Sequence, residues 1–223
     1  MTNRSTQQLF ACAAITSLSA LAPQAFAGEI TTITPFPGIV SVAGQSVSTP
    51  NAGNDNVVGT GNTNVLSILQ KDYSAVGPVD IVMGVIDSGG STEYVVLEGV
   101  QNSTGVDWSG YRVILGFGVG GSFVQSTAGD GLNFDDEDDS PMNFAPGFMD
   151  FTTVVKPNED VIEASGGDLL AGQFSGTDIV FHIDVPDGIT EFTLRQEPIA
   201  IPEPGSAALL LLTAGLAMRR RRA

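Results

Sequence analysis

Period-two alternation constrains this chain more than any other feature. In "TDIVFHIDVPDG", Ile179, Phe181, Ile183 and Val185 fall on one side of an extended backbone, and Asp178, His182 and Asp184 on the other. Successive side chains of a strand point to opposite faces, so such a stretch buries its apolar set only as one face of a sheet. In "YRVILGFGVGG" the inward set reads Tyr111, Val113, Leu115, Phe117 and Val119. In "GITEFTLRQEP" it reads Ile189, Phe192 and Leu194, and the broken first interval predicts a turn or bulge near Glu191. "VDIVMGVIDSGG" is apolar on both faces, as a central strand would be. Clusters such as "DSGGS", "NAGNDN" and "VPDG" punctuate these runs, and helical periodicity is nearly absent between the two chain ends. The expected fold is all-β, a single antiparallel β-sandwich or jelly roll.

The ends follow different rules. The N-terminus has a short polar start with Arg4, an apolar stretch from Leu9 to Ala22, Pro23, and then Ala25-Phe26-Ala27. That order is the layout of a secretory signal peptide over residues 1–27, with Ala25 and Ala27 marking the cleavage site. A lipoprotein reading would use Cys12, but bulky Phe10 and the short apolar stretch before it fit poorly. Cys12 is the only cysteine, so the mature chain would hold no disulfide and no cysteine-based zinc site. About 175 residues remain between the end segments, enough for one domain with a sizeable core.

At the C-terminus, Pro202-Glu203-Pro204 precedes 14 uncharged residues, Gly205 to Met218, and then Arg219, Arg220, Arg221 and Arg222. As a helix the uncharged run spans about 21 Å, short of a bilayer core of about 30 Å. The arginines act as a stop-transfer signal and leave the bulk of the protein outside. The two prolines hold the motif extended, within reach of a processing enzyme. A plain single-span anchor is the other reading, and it also places the domain outside.

"IPEPGSAALLLLTAGLAMRRRRA" resembles a PEP-CTERM sorting signal, a tail found on exported proteins of Gram-negative bacteria. The resemblance covers about the last 23 residues; the tail segment is taken as 199–223 and leaves 28–198 as the secreted domain. It implies recognition around Pro202, Glu203 and Pro204 by a membrane exosortase after export by the Sec machinery. It also implies transient membrane insertion through the apolar helix, removal of the tail, and association with extracellular polysaccharide. The stretch "NSTGVDWSGYRVILGFGVGGSFVQSTAGDGLNFDD" is more loosely similar to β-rich domains that precede such tails, which supports the sandwich and brings no activity. Trp108 reads as a core-edge cap, with sugar stacking as its functional alternative.

Charge limits the partners. Between the signal peptide and the terminal arginines the basic residues are Lys71, Arg112, Lys156 and Arg195, set against 25 acidic ones from Glu29 to Glu203, a net charge of about −21. Phosphates would be repelled, which argues against nucleic acid. His182 is the only histidine and alternates outward; no G-x-S-x-G elbow, phosphate loop or dinucleotide fingerprint is present. These observations predict no enzyme and no resident cofactor. The rival is a secreted carbohydrate-active enzyme or carbohydrate-binding module, because the numerous carboxylates allow a glycosidase pair.

The densest charge is Asp135, Asp136, Glu137, Asp138 and Asp139. These are the candidate Ca²⁺ ligands, since oxygen-rich loops suit that ion. Counted from Asp136 as an EF-hand, Pro141 occupies the glycine position and Gly147 the final glutamate position, so that pattern fails. A solvated acidic loop between strands is the alternative.

Overall fold

The computed structural model describes residues 28–36, 38, 40–48, 64–87, 91–134, 148, 150–176 and 179–201. Among them the chain forms β1 (Gly28–Pro35), β2 (Val40–Val47), β3 (Val65–Tyr73), β4 (Val79–Asp87), β5 (Thr92–Asn102) and β6 (Trp108–Phe117). A 3₁₀ turn (Gly120–Ser122) follows, then β7 (Val124–Gln125), β8 (Asn133–Phe134), β9 (Thr153–Asn158), β10 (Val161–Leu169), β11 (Ile179–Val185) and β12 (Glu191–Ala200).

The strands form two sheets that pack as a sandwich. One runs β1-β4-β12-β6-β10-β9, with β7 on the end of β6; the other runs β2-β3-β5-β11-β8. Pairing is antiparallel except between β3 and β5, which run parallel. The intervening β4 lies in the opposite sheet, so the chain crosses the sandwich and returns in the same direction.

The alternation sorts the core as the sequence reading expects along β11, where Ile179, Phe181, Ile183 and Val185 are all buried. They join one cluster with Leu66 and Ile68 of β3, Val96 of β5, Ile81 and Met83 of β4, Val113 and Leu115 of β6, and Phe192 and Leu194 of β12. Each such side chain contributes about 1.5–3 kcal/mol relative to leaving it in water.

Three local expectations change. Strand β6 ends at Phe117, because Gly118 (φ 74°) turns the chain into the 3₁₀ turn, and Val119 lies beyond the strand. Strand β4 is flanked on both sides and buries Val79, Ile81, Met83 and Val85 on one face; the other face buries only Asp80 and leaves Ile86 52% exposed. The sheet runs past the expected domain end at 198, because β12 continues to Ala200 in pairing with β6. Pro198 is tolerated because β4 stops flanking β12 at the Gln196↔Val79 pair, so no bond to that neighbour is lost. The interruption near Glu191 is a turn around Gly188 (φ 82°) that delivers Phe192 to the core.

Candidate functional site

The residues singled out for processing and metal binding fall outside the described part of the chain: Ala25, Ala27, Asp135 to Asp139, Pro202, Glu203, Pro204 and Arg219 to Arg222. The acidic run follows directly on β8, and the Pro-Glu-Pro motif begins two residues after β12 ends. Among the described residues, no three His, Cys, Asp or Glu side chains gather as a metal site would require.

His182 corrects the expectation of a solvent-facing residue. It lies on the outer face of β11, but its Nδ1 meets the carboxylate of Glu93 on β5, and its side chain is 15% exposed. Trp108 offers no sugar-stacking surface, because it is fully buried. Its indole stacks on Tyr111 at 6.2 Å and meets Tyr73 edge-on at 5.2 Å.

The N-x-T-G-x-D-W stretch has a structural explanation. Asn102 Nδ2 donates to the carbonyls of Val106 (2.9 Å) and Leu169 (3.0 Å), and its Oδ1 accepts from the Thr104 amide at 3.1 Å and hydroxyl at 2.7 Å. Gly105 takes φ 81°, and Trp108 Nε1 donates to Thr104 Oγ1 at 3.1 Å. Asp107 accepts the Ala171 amide at 2.8 Å. Each residue of the motif thus secures the corner from β5 to β6.

A shallow depression of about 340 Å³ opens beside Phe36, Gly38, Val76, Pro78, Asp80 and Arg195. Its one carboxylate is already engaged. Arg195 holds Asp80 in a two-pronged pair at 2.6 and 2.8 Å, donates to the Gly120 carbonyl at 2.8 Å, and lies 3.9 Å from the Phe123 ring centre. A bidentate fork of this kind fixes a surface corner and leaves no free base.

The richest chemistry lies between the sheets. Lys71 of β3 and Glu98 of β5 reach in from one sheet, and Tyr111 of β6 and Gln196 of β12 from the other; all four are buried, as is Tyr73. Lys71 Nζ pairs with Glu98 Oε2 at 2.6 Å and contacts Gln196 Oε1 directly. Gln196 Nε2 donates to both Glu98 oxygens, at 2.7 and 2.6 Å. Tyr111 donates to Gln196 Oε1 at 2.9 Å, and the Tyr73 and Tyr111 hydroxyls are 2.8 Å apart.

A β-bulge makes this cluster. Strand β3 advances three residues, from Ile68 to Lys71, while β5 advances two, from Glu98 to Val100. The extra residue reverses the facing of β3, so Leu66 and Ile68 point inward before it and Lys71 and Tyr73 after it, while Leu69 and Gln70 are exposed.

Glu98 and Gln196 were detectable in the sequence. Glu98 is in phase with Tyr94, Val96 and Val100, and Gln196 with Phe192 and Leu194.

Burial lowers the Lys71 amine below its usual range, against the opposing pull of Glu98. Burial likewise raises both Tyr73 and Tyr111, so each keeps its proton and stays a donor. A buried ion pair is expensive to desolvate and a hydrophobic pair commonly replaces it at no loss, so hydrophobic packing alone does not account for this cluster. An amine, a carboxamide, a carboxyl group and phenol donors converge there without water access. The chain matches no family model, no curated protein and no solved structure.

Proposed function

We propose that this chain is an exported, non-enzymatic protein of the cell envelope or extracellular matrix, processed at its C-terminal tail by an exosortase and associated with extracellular polysaccharide. The observation that carries the reading is the ordered tail: Pro202-Glu203-Pro204, 14 uncharged residues, and Arg219 to Arg222. Two features of the folded part support it. Strand β12 is the last element before the tail, so the motif follows at once where the chain leaves the sheet. Among the described residues, the interior between the sheets is packed with side chains, and the carboxylate lining the surface depression is held by Arg195. A glycosidase would instead present two carboxylates across an open cleft.

The test follows the mass and location of the exported chain in exosortase-positive and exosortase-negative cells. Glu203→Ala, and separately deletion of Arg219 to Arg222, leave an unprocessed species in the membrane fraction. Maturation and release of both variants as in the unaltered chain sink the sorting reading.

A further inference from the structure

We propose that Lys71 and Gln196 are a site of self-modification: an isopeptide bond forms between them in the folded core, with Glu98 as the proton carrier. The inference rests on the core alone and stands or falls independently of the export reading.

The nucleophile already lies against the group it would attack: Lys71 Nζ donates to Oε1 of the Gln196 carboxamide, one bond from Cδ, and both side chains are fully buried. Holding two reacting groups together in this way replaces a bimolecular encounter with an intramolecular step. Glu98 reaches both ends of the required proton transfer, 2.6 Å from Nζ and 2.6–2.7 Å from Nε2. The Tyr111 hydroxyl sits 2.9 Å from Oε1, where negative charge develops as the carbonyl carbon becomes tetrahedral. Tyr73, 2.8 Å from Tyr111, can donate to it and strengthen that donor.

In the step itself, Nζ attacks Gln196 Cδ and the Nζ–Cδ bond forms. The Cδ–Nε2 bond then breaks. Starting from the ion pair, Nζ gives up two protons, one to Glu98 before attack and one as the tetrahedral centre collapses; both pass through Glu98 to the departing nitrogen, which leaves as ammonium, and Glu98 ends ionised as it began. No oxidant, metal or external acyl donor is required.

The attacking amine must be neutral. Moving the ammonium proton onto Glu98 removes both charges from a site without water, and the burial that lowers the Lys71 amine acts in the same direction.

The bond would also explain why a costly polar cluster is kept in the core. The single cysteine lies in the N-terminal segment, so no disulfide can staple the described domain. Lys71 and Gln196 are 125 positions apart and belong to different sheets. Their bond would join the two layers and fasten β12, the strand that leads into the tail.

The full chain, expressed and purified, is denatured, digested and analysed by mass spectrometry. The expected result is a branched product joining the peptides that contain Lys71 and Gln196, lighter than their sum by one ammonia, with tryptic cleavage after Lys71 blocked. Lys71→Arg and Glu98→Gln, each checked for strand content by circular dichroism, should yield only separate peptides. Recovery from the unaltered folded chain of separate, full-mass peptides, one ending at Lys71 and one beginning at Gln196, overturns the proposal. So does a branched product formed equally well in Glu98→Gln.

Discussion

Replacing Trp108 tests the packing of the sandwich at its largest buried side chain. The indole is fully buried, stacks on Tyr111 at 6.2 Å, meets Tyr73 edge-on at 5.2 Å, and donates to Thr104 Oγ1 at 3.1 Å. Truncating a buried Trp to Ala costs about 3–5 kcal/mol. Aromatic pairs add about 0.5–1.5 kcal/mol each beyond their area. With two such pairs lost, Trp108→Ala should fall in the upper half of the truncation range, about 4–5 kcal/mol. Trp108→Phe keeps a ring against Tyr73 and loses the indole donor and part of the volume, for about 1–2 kcal/mol.

Against a domain stability of about 5–15 kcal/mol, the Ala variant is marginal. Its melting temperature should fall by about 8–20 °C, at about 2–4 °C per kcal/mol for a domain of this size. Urea unfolding followed by circular dichroism measures both variants, with the slope expected to stay near that of the unaltered chain. A loss below about 1 kcal/mol for Trp108→Ala, with an unchanged slope, would refute the placement of this ring in the core.

Three further outcomes are expected. Arg195→Ala removes both prongs from Asp80, which is only 4% exposed, and should cost about 3 kcal/mol by chemical denaturation; a loss under about 0.5 kcal/mol would mean that solvent already screens the pair. The chain has three tyrosines, all buried, with burial pushing Tyr94 up to about 12 and raising Tyr73 and Tyr111 above their usual range. Because the unfolded phenols ionise near pH 10 and the folded ones do not, stability is fully present below that pH and falls as pH rises through it; a spectrophotometric titration should show phenolate appearing together with unfolding, and early ionisation of the folded chain would contradict this. Millimolar Ca²⁺ should barely move the melting point; stabilisation of about 2.7 kcal/mol, as a site at a hundredfold excess over its dissociation constant would give, lost in Asp136→Asn with Asp138→Asn, would establish a specific calcium loop.

The sequence by itself determined the class of fold and most of which residues face inward. Alternation along β11 and β12 assigns Phe181, Ile183, Phe192 and Leu194 to the core because side-chain direction in a strand follows from position alone. The same rule places Glu98 and Gln196 inside, although polar residues in an apolar phase are easily passed over. It fails at Lys71: counting by twos from Leu66 and Ile68 puts Gln70 inside and Lys71 in water, and one extra residue in β3 reverses that. A bulge depends on how two strands register against each other, and no local run of residues encodes that. The parallel pairing of β3 with β5 across a chain crossing is of the same kind. Only the tertiary structure brings an amine and a carboxamide 125 positions apart into contact, because each comes from a different sheet and their meeting is set by how the layers stack.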